Sequence, residues 1–118
     1  MAVPTEIITM TSLSGGTNYE GDALTASFAA LHTSGASTSV QDEVWVWACN
    51  THATDFQTVT VGVGTGGSPA AEFEYDIPPK VGLSLIVPGW TFQNSKILYG
   101  KGETNGVITV FGYVNRIT

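Results

Sequence analysis

Apolar and polar residues along this chain alternate in short runs, and Gly, Pro, Ser and Asn gather between the runs. From Phe56 to Val63, Val59, Val61 and Val63 fall on one side, Thr58 and Thr60 on the other. That is the period of a strand with one face on a core. Ala71 to Ile77 repeats it, with Phe73, Tyr75 and Ile77 inward, Glu72, Glu74 and Asp76 outward, and Pro78-Pro79 as the stop. Glu43 to Asn50, EVWVWACN, lacks polar alternation and predicts a strand covered on both faces. Leu24 to Leu31 reads as a strand because Thr25 and Ser27 interrupt Leu24, Ala26, Phe28 and Ala30. Leu83–Val87, turned by Pro88-Gly89, and Ser95–Tyr99 are further short strands, and Val107–Ile117 is the longest. Glu6–Met10 reads as an edge strand or an arm. Segments 11–22, 32–39, 64–69 and 101–106 are rich in turn formers and read as loops.

Seven or eight short strands and no helical period predict an all-β chain, a single antiparallel β-sandwich. Jelly-roll and immunoglobulin-like connectivities both fit. At 118 residues the chain reads as one domain over 1–118, with 1–10 as an extended N-terminal arm or edge strand.

Composition turns this from a fold into a surface problem. Four basic and ten acidic residues make only 12% of the chain charged, while 42% is apolar. Charge this sparse leaves part of the surface to neutral polar residues and part to an interface. No run of about 18 apolar residues predicts a membrane span. The net charge is −6, and Lys80, Lys96, Lys101 and Arg116 are scattered, which argues against nucleic acid and anionic lipid as partners. All four basic residues lie in 77–118, whereas nine of the ten acids lie in 1–76. Strands from the two segments would neutralise each other by pairing, or the subunit would be dipolar and meet neighbours head to tail. Cys49 is the sole cysteine, which rules out an intrachain disulfide. The first residues lack the basic-then-apolar pattern of a signal peptide, predicting synthesis in the cytoplasm.

Candidate chemistry is thin. Gly62–Gly67 imitates a dinucleotide fingerprint, but Ser68-Pro69 leads into a strand instead of the helix that motif requires. Cys49 and His52 have ligand-like spacing, but zinc needs three or four donors and His32 lies in another segment. Neither a Cys-His nucleophile nor a carboxylate pair has the supporting groups it needs. Glu72, Glu74 and Asp76 sit about 6.5–7 Å apart on one strand face, so calcium would need loop oxygens such as those of Asn18, Glu20 and Asp22. We therefore expect no enzyme, cofactor or metal. Trp45, Trp47 and Trp90 could stack on sugars, with Trp90, placed in a loop, the better platform.

Four segments, EVWVWACN (43–50), FQTVTVGVG (56–64), IPPKVGLSLIVPG (77–89) and GVITVFGYVNRI (106–117), together resemble small all-β virion proteins of tailed bacteriophages. The resemblance spans about residues 20–118 and rests on structural residues alone. It implies a virion protein, foremost a capsid decoration (cement) protein bound outside the major capsid shell, with a neck or tail component as the alternative. The implied partners are the major capsid protein or other virion proteins, and sister copies in a dimer or trimer. A carbohydrate-binding module is the competing expectation. Contact residues are expected in the N-terminal arm (Val3, Ile7, Ile8), in a loop carrying Trp90, Phe92 and Gln93, and at the tip bearing Lys101 and Asn105.

Overall fold

The computed structural model describes residues 5–8 and 22–118. Val3, Thr9, Met10, Asn18 and Glu20, and the expectations placed on them, lie outside the described residues. Among the described residues there are nine strands: β1 (Thr5–Ile8), β2 (Asp22–Ala23), β3 (Ala29–Thr33), β4 (Gln41–Asn50), β5 (Gln57–Thr65), β6 (Ser68–Ile77), β7 (Ser84–Phe92), β8 (Ile97–Gly102) and β9 (Ile108–Ile117). The described residues contain no helix. One sheet has the order β1-β9-β4-β7, with β2 also on β9, and the other β3-β8-β5-β6. All pairings are antiparallel, and they nest: β5 with β6, β4 with β7, β3 with β8, β2 with β9.

One apolar cluster joins the two sheets. Val44, Val46, Ala48, Ile108, Val110 and Val114 come from the five-stranded sheet, and Leu31, Val59, Val61, Ile77 and Leu98 from the other. The alternation from Val59 to Val63 places its valines inward as its period requires, and Gly66-Gly67, both at positive φ, close the β5–β6 hairpin. The outward Glu72, Glu74 and Asp76 line β6, an edge strand, and charge there opposes pairing with other chains.

The structure corrects four expectations. Of the strand expected over Leu24–Leu31 only Ala29–Leu31 is extended, within β3: β2 ends at Ala23, and Leu24–Phe28 passes through a bend at Ala26-Ser27 held by Asn105, whose Oδ1 accepts from the Ala26 N–H at 2.7 Å. His32 belongs to β3 and is fully buried, not the start of a loop. β4 is not covered on both faces: Asp42, Val44, Val46, Ala48 and Asn50 are buried, while Glu43, Trp45, Trp47 and Cys49 are only half-buried. Pro88-Gly89 does not end its strand. Gly89, at φ 75°, is an extra residue between Pro88, opposite Trp45, and Trp90, opposite Val44. Such a bulge lets an edge strand continue past a proline.

Candidate interaction face and the buried carboxylate

The outer face of the five-stranded sheet is where the sequence and the fold disagree most. On β4 the outward positions are Glu43, Trp45, Trp47 and Cys49; β9 sets Asn115, Tyr113, Phe111 and Thr109 directly opposite them. On the other side β7 sets Pro88 against Trp45 and Leu85 against Trp47, and β1 places Ile7 opposite Asn115. The benzo ring of Trp45 lies against Gly89, where an added Cβ would come within 2.8 Å of Cζ2. Trp47 follows at 6.4 Å between ring centroids and 22° between planes, then Tyr113 at 6.0 Å and 24° from Trp47. The three rings therefore form one continuous apolar plate. Ile7 (73% exposed) and Leu85 (42%) extend it on either side.

Among the described strand residues on this face, Glu43 is the sole charged one. Its Oε1 accepts from Trp45 Nε1 at 2.8 Å and from Asn115 Nδ2 at 3.1 Å. The Trp45 indole N–H, followed by the Asn115 amide, holds the Glu43 carboxyl below the usual range. The outer face of the other sheet is the opposite in character, with Glu72, Glu74, Asp76 and Lys101 on it.

A second apolar feature adjoins the plate. Phe73 and Tyr75 of β6 and Ile86, Pro88 and Trp90 of β7 line a groove of about 350 Å³ between the two sheet edges. Trp90 packs edge-on against Phe73, with centroids 5.3 Å apart.

The expected contact residues are thus scattered. Trp90 and Phe92 lie in β7, not in a loop; Phe92 is buried and Trp90 packs on the core. Gln93 is half-buried, with Oε1 unpartnered among the described residues. Asn105 braces the Ala26 bend, and Lys101 lies over the Phe28 ring at 4.7 Å. Ile8 packs partly against the core, leaving Ile7 exposed on the edge strand. Cys49 and His52 do not meet as ligands: His52 Nδ1 accepts the Thr54 and Asp55 backbone N–H groups. Among the described residues no group of three or more His, Cys, Asp or Glu could hold a metal ion.

One polar cluster escaped the sequence reading. Asp42 is fully buried and accepts from Arg116 at both oxygens, each at 2.9 Å. His32, also fully buried, stands 2.7 Å from its Oδ2. The cluster ties β3 in one sheet to β4 and β9 in the other. It also joins the acidic N-terminal segment to the basic C-terminal one. Burial opposes ionisation of Asp42, but the hydrogen bonds from Arg116 and His32 outweigh it and hold the carboxyl below its ordinary value. Burial likewise pushes His32 down, against the pull of Asp42. An ionised Asp42 only accepts, so a neutral His32 donates from Nε2. Asp42 and His32 have no solvent access and Arg116 only a little, so the cluster serves to tie the two sheets together.

These directions set a pH dependence. A histidine held neutral in the fold binds its proton more readily in the unfolded chain, so stability falls as pH drops below about 6.5. The Asp42 contribution is present above the ordinary carboxylate value and is lost as pH falls through its depressed one. Thermal unfolding from pH 8 to 4 should show the midpoint falling below about pH 6.5. His32→Gln should flatten that limb; an unchanged limb would remove His32 as its source.

No protein-family model, no curated protein and no solved structure matches this chain. The functional reading therefore rests on the residues themselves.

Proposed function

We propose that this chain is a structural subunit of a tailed-bacteriophage virion, a decoration protein that binds outside the major capsid shell and stabilises it by protein–protein contact. The observation that carries the reading is the outer face of the five-stranded sheet, apolar and carrying, among the described strand residues, a single charged residue that its own neighbours hydrogen-bond. A face like that marks a surface made to be covered by protein. We also infer a jelly-roll winding. The nested pairs are what a long hairpin gives when rolled into two sheets, an architecture used in capsid and lectin domains. A neck or tail subunit would use the same surfaces.

The ring plate favours a second reading, a carbohydrate-binding module, now centred on Trp45, Trp47 and Tyr113 instead of Trp90. Against it, the plate is flanked by exposed aliphatics, Ile7 and Leu85, which have no hydrogen bond to offer a sugar.

The test is sedimentation of the purified protein with emptied heads and, separately, with isolated tails of the encoding phage. The decoration reading expects saturable binding to heads at a fixed copy number, and a higher temperature of head rupture when the protein is bound. Binding to tails alone would move the subunit to the neck or tail, and binding to neither would end the virion reading.

A further inference from the structure

We infer that the outer face of the five-stranded sheet is covered by a second copy of this chain, in a two-fold dimer that packs the two aromatic plates against each other. The inference deepens the structural-subunit reading by naming a partner for that face.

Three observations select a second copy. The first is charge. A chain of net charge −6 repels its own kind, and the acidic row of Glu72, Glu74 and Asp76 lies on the opposite sheet. Among the described strand residues the plate side offers only Glu43, already engaged by Trp45 and Asn115. Two copies can approach here with their acidic rows turned away from each other. The second is self-complementarity. A two-fold contact brings the same patch against itself. A surface made of half-buried stacked rings and aliphatic side chains, with one charge among its described strand residues to mismatch, satisfies that condition where a mixed-charge surface would need a fixed register. The third is size. β4 and β9 run ten residues, β7 nine and β1 four, and at about 3.3 Å per residue and about 4.8 Å between strands they give a footprint of roughly 500 Å². Each side of a standard interface contributes about 800 Å², and the relief of the side chains adds to the flat figure. The flanking Ile7 and Leu85 then gain cover as well.

The bulge at Gly89 is part of this design. With no Cβ there, Trp45 can settle against β7.

The experiment is sedimentation equilibrium of the full chain over a wide concentration range, with three variants. The wild type should move from 12.4 kDa towards twice that mass as concentration rises. Leu85→Glu, at an exposed position, and Trp47→Glu should raise the dimer dissociation constant about thirtyfold or more, the size of an interface hot spot. Glu72→Gln, on the opposite sheet, should leave it unchanged. Far-UV circular dichroism confirms that each variant is folded, and Leu85→Glu carries the test if Trp47→Glu is not. A wild type that stays monomeric at all concentrations overturns the inference, and so does a dimer indifferent to Leu85→Glu. Tryptophan fluorescence of a monomeric wild type quenched by soluble β-glucan would reassign the plate to sugar. Head binding by a monomer would sink only the dimer, and a dimer that ignores heads and tails would sink only the virion reading.

Discussion

Asp42→Ala should cost about 3 kcal/mol of unfolding free energy, a large share of the roughly 5–15 kcal/mol that holds a domain this size together. Asp42 is fully buried and is the acceptor for two Arg116 donors and for His32. Its loss strands the Arg116 guanidinium, which can reach water only in part, being 26% exposed. His32 cannot reach water at all. Breaking one side of a buried pair costs far more than the intact pair contributes, because the remaining group keeps its desolvation penalty. The partial exposure of Arg116 sets the figure at the low end of the usual range. Urea unfolding monitored by tryptophan fluorescence measures it. Asp55→Ala is the control: its contact with His52 is 3.8 Å long and exposed, so stability should not change. A loss under about 1 kcal/mol for Asp42→Ala would mean that the cluster is dispensable.

Gly62→Ala should be of similar size, about 3 kcal/mol, for a steric reason. An added Cβ at Gly62 would come within 2.2 Å of the Ala71 carbonyl oxygen and 2.6 Å of Pro69 Cβ. The first is backbone and cannot swing aside. The β5–β6 hairpin carries a register shift between Val63 and Gly64, which folds the Pro69–Ala71 backbone over the glycines. Gly102 in β8 gives the comparison, since its added Cβ finds nothing closer than 3.4 Å. Gly102→Ala should cost under about 1 kcal/mol. Equal losses at the two sites would contradict this account of the hairpin.

Much of the architecture was legible in the residues, and the misses share a cause. Alternation is a local signal, and it served well where one face met the core, as at Val59, Val61 and Val63. It failed where side chains on the outer face were themselves large and apolar. Trp45 and Trp47 made β4 look covered on both sides, because hydropathy cannot tell a core tryptophan from a half-buried one on an outer sheet face. Extending the β4 phase back one step would have set Asp42 inward with Val44, Val46 and Ala48. That was the one available hint of the buried cluster. His32 and Arg116 lie 10 and 74 residues from Asp42, and only strand pairing brings them together. Trp90 was misplaced because Pro88-Gly89 ordinarily ends a strand, whereas here a glycine bulge absorbs the break. The groove between β6 and β7 depends on which strands form the two edges, and the sequence carries no sign of that.

The central claim is that the aromatic face of the five-stranded sheet works by being covered by protein. Carbene footprinting read by mass spectrometry tests it most directly, comparing dilute protein with concentrated and head-bound protein. The account predicts that labelling of segments 43–49 and 109–115 drops several-fold on assembly, while exposed Phe56 stays labelled. Unchanged labelling of both segments in every state would contradict it.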